Sequence, residues 1–191
     1  MLRKFLAEIG FIKADKPTAK GLLASRLYGE NNILLAEVVW SGWLDDLSPE
    51  ELAACTVMLS SDDRGGSRLP RHTRSMPTEA VARVRRQIRS LYSRWAEMEV
   101  RCLADQGQLR PPSISYIDFV FSWAQGTPLE QVPLPAQVDF GDAVRAIKST
   151  YSVLRQLDFA LGRQEETAGG RLRATVRHCL GLLERDLIAR V

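Results

Sequence analysis

The stretch Val81-Ala-Arg-Val-Arg-Arg-Gln-Ile-Arg-Ser-Leu-Tyr-Ser-Arg-Trp-Ala-Glu-Met-Glu-Val-Arg-Cys102 decides the fold class. Its apolar residues Val81, Val84, Ile88, Leu91, Trp95, Met98 and Cys102 recur alternately every three and four positions, which predicts one long amphipathic helix with a continuous apolar seam. Arg83, Arg86, Arg94 and Arg101 fall off that seam and are free to face water or a ligand, and the first three make a secondary basic surface. Upstream, the Gly- and Arg-containing run from Ser60 to Pro77 reads as a long loop. Before it, Ser48-Pro49-Glu50-Glu51 is a helix start, with Ser48 as cap, Pro49 in the first turn and Glu51 closing a capping box. Helices are predicted at about Leu2 to Ile9, Leu22 to Leu27 and Asn32 to Gly42, with a small β-hairpin around Gly10–Lys13 and Lys16–Gly21. Downstream come an aromatic helix from Ser115 to Gln125 stopped by Gly126, a proline-limited short helix or turn, and long helices from about Gly141 to Leu161 and Gly170 to Arg190. The expectation is a mainly α protein, a helical bundle with a short wing-like β-hairpin near the N-terminus.

At 191 residues, 45% hydrophobic and 26% charged, the chain fits one folded, soluble domain. Its net charge of +3 announces no polyanion partner, yet the average hides a skew. Between Arg64 and Arg101 stand ten Arg against Glu79, Glu97 and Glu99, a local +7, so the remainder sums to −4. Arginine forks suit phosphate, while the same charge on a helix also serves as a solvated face. Cys55, Cys102 and Cys179 are far apart and unpaired in sequence, which reads as reduced thiols in a cytoplasmic setting rather than a disulfide framework or zinc site. No apolar run approaches the ~20 residues of a membrane span, and the first residues are too charged for a secretory signal, so no membrane partner is expected.

Catalytic chemistry is hard to place on this chain. There is no Gly-x-x-x-x-Gly-Lys-Ser/Thr loop, no Gly-x-Gly-x-x-Gly and no Gly-x-Ser-x-Gly elbow. His178 and Cys179 are neighbours on a helix and point in different directions, and His72 lies in the Arg-rich loop. Asp45-Asp46 and Asp62-Asp63 sit beside turns without a base or ligand set, which favours turn and capping roles. No catalytic residue and no metal ligand is assigned. The helix from Gly141 is more specific: Val144, Ile147, Tyr151, Leu154 and Leu161 make an apolar stripe, and Arg145, Lys148, Ser149, Ser152, Arg155 and Gln156 line the other side. That narrow track, cationic at both ends with small hydroxyls between, suits the close passage of a nucleic-acid strand, and equally an ordinary solvated face.

Four ordered blocks between residues 21 and 188 resemble one family. Gly21-Leu-Leu-Ala-Ser25 and Leu35-Ala-Glu-Val-Val-Trp-Ser-Gly-Trp-Leu-Asp-Asp-Leu-Ser-Pro-Glu-Glu-Leu-Ala-Ala54 are similar to the opening of the C-terminal helical (DSHCT) domain of superkiller-type and HelY-like DExH-box RNA helicases. The likeness continues at Tyr116-Ile-Asp-Phe-Val-Phe-Ser-Trp-Ala-Gln-Gly126, at Phe140-Gly-Asp-Ala-Val-Arg-Ala-Ile-Lys-Ser-Thr-Tyr-Ser-Val-Leu-Arg-Gln-Leu157 and at Glu184-Arg-Asp-Leu-Ile188. The resemblance implies that residues 21–191 are the helical domain and residues 1–20 the tail of the winged-helix segment that precedes it. It places the helix of Arg145 at the ratchet position, where Arg145, Lys148, Ser149, Ser152 and Arg155 meet single-stranded RNA. Ser149 and Ser152 stand where the family has Arg and Glu, which implies a weaker or less base-selective grip. The chain stops soon after Arg185-Asp186, as bacterial and plastid members tend to.

The ATP-hydrolysing RecA-like domains of such helicases have no counterpart in these 191 residues, so ATP and magnesium are expected only in those motor domains, and the chain alone is expected to be inactive. It is then an accessory domain that meets its motor in cis or in trans, and whether it counts as part of an enzyme depends on that motor. The alternative from another class is a non-catalytic protein-interaction module docking a partner of an RNA-processing complex.

Overall fold

The Ser48 hydroxyl accepts the Glu51 backbone N–H at 3.2 Å and the Glu51 carboxylate accepts the Ser48 N–H at 2.9 Å, the reciprocal pair that starts a helix. From it runs the most buried helix of the computed structural model, which describes residues 2–29, 31–60, 76–103, 109–132, 134, 138–163 and 170–185. In chain order the elements are α1 (Leu2–Glu8), β1 (Ile12–Lys13), β2 (Lys16–Pro17), α2 (Ala19–Ala24), α3 (Asn32–Trp40), α4 (Pro49–Ser60), α5 (Glu79–Leu103), α6 (Ile117–Ala124), a 3-10 turn (Leu129–Gln131), α7 (Phe140–Leu161) and α8 (Gly170–Leu183). The protein is a helical bundle with one antiparallel hairpin, Ile12 opposite Pro17 and Lys13 opposite Lys16. The last helix, expected to run to Arg190, ends at Leu183, with Glu184 and Arg185 turning out of it; residues 186–191, and the expected loop from Ser60 to Pro77 with His72 and Asp62-Asp63 apart from Ser60, Met76 and Pro77, lie outside the described residues.

Residues Leu52 to Leu59 of α4 are all buried, as an apolar helix surrounded by others must be. Helices α5, α6, α7 and α8 all pack on it. Its single polar core residue, Thr56, satisfies its hydroxyl on the Leu52 carbonyl at 2.8 Å.

Helix α5 follows its seam from Val81 to Trp95 and then slips by one residue, so that Glu99 and Leu103 are buried and Met98 and Cys102 only half-buried. A strict seven-residue apolar repeat drifts about 20° per heptad against a straight helix, and over three heptads the buried line passes to the next residue. Glu99, 3% exposed, accepts the Leu109 N–H on its carboxylate at 3.2 Å. Trp95 stands edge-on to Phe5 and Phe11, with ring centroids 6.5 and 5.9 Å away, so the N-terminal segment shares the core of the bundle.

That segment is also pinned from α2. Lys20 Nζ donates to the Ile9 carbonyl at 2.6 Å and to Glu37 at 2.5 Å and lies 4.6 Å from the Phe11 ring centroid. Beside it, a Cβ on Gly21 would collide with the Phe11 carbonyl, which is why the position next to the lysine has no side chain. At the other end of the chain Arg185 lies over the Trp123 ring at 4.0 Å and donates to the Trp123 and Thr127 carbonyls, closing α6 at the turn where Gly126 takes φ +93°.

Candidate nucleic-acid interface

Helix α7 starts at Asp139, whose carboxylate accepts the Gly141 N–H at 2.6 Å, and runs for 22 residues. It packs against α4 on one side and α8 on another. Its buried residues are Ala143, Ala146, Ile147, Thr150, Leu154, Leu157, Ala160 and Leu161, a broader face than the expected stripe, with Val144 and Tyr151 half-buried at its margins. Two neighbours make the buried face wide, and the small residues in it hold no bulky apolar signal.

The remaining face divides the expected track. Arg145, Lys148, Ser152 and Arg155 are exposed at spacings of three, four and three, so they form one line along the outside of the helix. Ser149 is half-buried at the edge of this face, and its hydroxyl donates to the Ser60 carbonyl at 2.5 Å. Next to it the hydroxyls of Thr150 and Ser60 are 3.2 Å apart. These hydroxyls complete the C-terminal end of α4, whose last carbonyls have no partners inside the helix. Gln156 accepts the Tyr28 N–H at 2.6 Å, and Tyr28 itself is 74% exposed. Arg145, with 78% of its side chain exposed, pairs with Asp142 at 2.5 Å, a surface pair too weak to hold it against a phosphate.

The outer line does not end at Arg155. Phe159, four residues on, is 57% exposed, and the Arg163 guanidinium sits 5.3 Å from its ring centroid. Here α8 closes against α7 and leaves a groove of about 540 Å³, lined on the α8 side by Arg173 and Arg177. Both arginines donate through Nε to one oxygen of Asp158, each at 2.9 Å. Partial burial pushes the Asp158 carboxyl up, but the two hydrogen bonds and the two charges outweigh it and hold it below the ordinary carboxylate value. Gly162 permits the arrangement: a Cβ there would lie 2.6 Å from Arg173 Cζ.

Sequence reading passed over Tyr28, Asp158, Phe159, Arg163, Arg173 and Arg177. Phe159 and Arg163 continue the spacing of the track and were detectable as an aromatic residue on a polar face. Arg173 and Arg177 belong to another helix, and nothing local marks them. Arg83, Arg86 and Arg94 of α5 are exposed as expected, with Arg86 paired to Glu79 at 2.7 Å. Burial raises the Cys55 thiol far above its ordinary value and pushes Cys179 up to about 12, so both are inert packing groups, while His178 faces solvent. Asp46 pairs with Arg171 from α8 and Asp45 stands in the turn before α4. Among the described residues no group of His, Cys, Asp or Glu is placed to hold a metal ion, and no helix is long and apolar enough to cross a membrane.

Comparison with known proteins finds the DSHCT (NUC185) domain over residues 14–190. The chain is 26% identical over 190 residues to the DExH-box ATP-dependent RNA helicase DExH9 of Arabidopsis thaliana, covering 97% of this chain and 18% of that protein. It is 23% identical over 159 residues to the ATP-dependent RNA helicase mtr4 of Schizosaccharomyces pombe, with coverages of 81% and 14%. To the probable helicase HelY of Mycobacterium leprae it is 26% identical over 200 residues, with coverages of 96% and 20%. The chain therefore spans a fifth or less of the length of these relatives.

Proposed function

The chain belongs to the DSHCT (NUC185) domain family, and from that premise we propose that it is the accessory helical domain of an ATP-dependent RNA helicase that carries single-stranded RNA along the outer face of α7. The observation that carries this reading is the line Arg145, Lys148, Ser152 and Arg155. It is exposed along one side of a helix whose opposite side is locked between α4 and α8. Three cations spread over about 15 Å of rigid helix suit successive phosphates, and the hydroxyl between them keeps the surface low enough for a strand to pass. Ser149 stands beside this line with its hydroxyl committed to α4.

RecA-like motor domains, joined in cis or met in trans, would bind ATP and magnesium and supply the movement; the domain itself guides the strand. Packing on the motor is assigned to the α2–α3 side, where Leu22 and Trp40 stay exposed. Those same residues are what favours the second reading, a protein-interaction module docking a partner of an RNA-processing complex.

A titration of fluorescent oligouridylate with the chain at increasing salt decides between the two. The first reading expects binding whose logarithm falls linearly with log salt, and a slope smaller by about 1.4 in the Arg145→Ala, Arg155→Ala double variant, about 0.7 for each lost phosphate contact. No binding at low salt, or a double variant that binds as the unchanged chain does, overturns it in favour of the second.

A further inference from the structure

We propose that the α7–α8 groove is a nucleotide subsite that takes a base and its phosphate from the single-stranded RNA lying on α7, so that the strand is read at one point by stacking as well as held by charge. The proposal rests on the strand path proposed above and adds a site with its own chemistry.

The groove has the two elements a nucleotide needs. One is a flat apolar surface: Phe159 is more than half exposed although it belongs to a long helix with a complete buried face, and Arg163 extends the same surface as a planar cation over the ring. Base-on-aromatic stacking is tolerant of sequence and gains from a neighbouring guanidinium. The other element is a set of fixed cations. Arg173 and Arg177 are not free to sweep through solvent, because both are held by the single Asp158 carboxylate. Two guanidiniums on one carboxylate leave an excess positive charge. Asp158, held ionised by the pair, cannot release either arginine by taking up a proton near neutral pH.

The place of the groove also fits. Arg155 is both the last cation of the outer line and a wall of the groove, so a strand lying on Arg145 and Lys148 leads into it without a gap. The volume, about 540 Å³, is within the range of small-molecule sites and ample for one nucleotide. Gly162 and Gly181 in the lining keep side chains out of it. An acidic peptide would use the arginines but has no use for an exposed aromatic ring backed by a guanidinium, which is why a nucleotide is the better occupant.

The test compares five proteins, the unchanged chain, Phe159→Ala, Phe159→Trp, Arg163→Ala with Arg177→Ala, and Arg145→Ala with Lys148→Ala, on oligoadenylate and on an abasic strand of equal length. Phe159→Ala is expected to weaken oligoadenylate binding about tenfold with an unchanged salt slope, because no charge is lost, and to leave the abasic strand unaffected. Phe159→Trp restores binding, and Arg163→Ala with Arg177→Ala lowers both affinity and slope. The Arg145 and Lys148 variant weakens both strands alike. Phe159→Ala binding oligoadenylate as the unchanged chain does, while the Arg145 and Lys148 variant is weakened, overturns the groove and leaves the strand path standing. No strand binding by any protein overturns both. Equal weakening of the abasic strand by Phe159→Ala overturns base recognition. Displacement of oligoadenylate from the groove residues by oligoglutamate, with Phe159→Ala indifferent, assigns the groove to an acidic partner instead.

Discussion

Helices α5 and α7 are the two longest among the described residues, and both bury one side and set arginines on the other. They differ in what stands beside those arginines. Along α5 the exposed Arg83, Arg86, Arg89, Arg94 and Arg101 outnumber the basic residues of α7, but the helix spends its large side chains, Ile88, Leu91 and Trp95, inward on the core. Along α7 the inner face mixes the small Ala143, Ala146, Thr150 and Ala160 with Ile147, Leu154, Leu157 and Leu161, the helix packs against α4 and α8, and the line of cations ends in Arg155 at the lip of a groove that a second helix completes. Charge density alone does not separate the proposed site from the rest of the surface: the denser cluster lies on one helix face, and the sparser one has an aromatic ring, a wall and arginines fixed on a carboxylate. A ligand desolvated on several sides gains more from each cation than one that touches an open surface.

If α5 is above all a core helix, its largest effect must come from within. Trp95→Ala removes the ring that Phe5 and Phe11 stand against and is expected to cost about 3–5 kcal/mol in urea unfolding. The remaining folded molecules should bind RNA normally; a selective loss of binding would break the division of labour between the helices. The next test sets the two exposed faces against each other. Arg83→Ala, Arg86→Ala and Arg94→Ala together should change oligouridylate affinity several-fold less than Arg145→Ala, Lys148→Ala and Arg155→Ala at the same salt, and equal losses in the two triple variants would show that the strand follows charge wherever it lies.

A smaller effect is expected where α7 meets α4. Thr150→Val deletes a buried hydroxyl that bonds the Ala146 carbonyl and approaches Ser60, at a cost of about 1 kcal/mol by thermal or chemical unfolding and no change in RNA affinity. A neutral result would mean that packing alone seats α7. The smallest effect is acidic. Because the Asp158 carboxyl is held below the ordinary value near 3.8, its contribution to stability is complete above that pH and is lost as the pH falls further. Asp158→Asn should remove this part of the acid limb of the unfolding profile; an unchanged profile would mean that Arg173 and Arg177 are held by other contacts.

Most of the fold was legible because its signals are local. The capping box at Ser48, the seam of α5 as far as Trp95, the hairpin and the stop at Gly126 each depend on residues within a turn or two of one another, and the structure keeps them. The departures are physical. The seam of α5 slipped at Met98 because the repeat and the helix have different periods. The inner face of α7 was read too narrowly because Ala143, Ala146 and Thr150 give no bulky apolar signal. The candidate site was legible in half: Arg145, Lys148, Ser152 and Arg155 share an exposed side as their spacing requires, whereas the hydroxyl of Ser149 is drawn to the end of another helix 89 residues away in sequence.

By itself the sequence determined most of the helices, the buried side of α5 as far as Trp95, the hairpin and the family, since each is encoded in short-range spacing or in ordered motifs. Only the tertiary structure decided that Lys20 and Gly21 pin the N-terminal segment, that Arg185 closes α6 over Trp123, and that Asp158 gathers Arg173 and Arg177 beside Phe159. These contacts join residues of different elements, and which elements touch is set by the packing of whole faces, which no local pattern states.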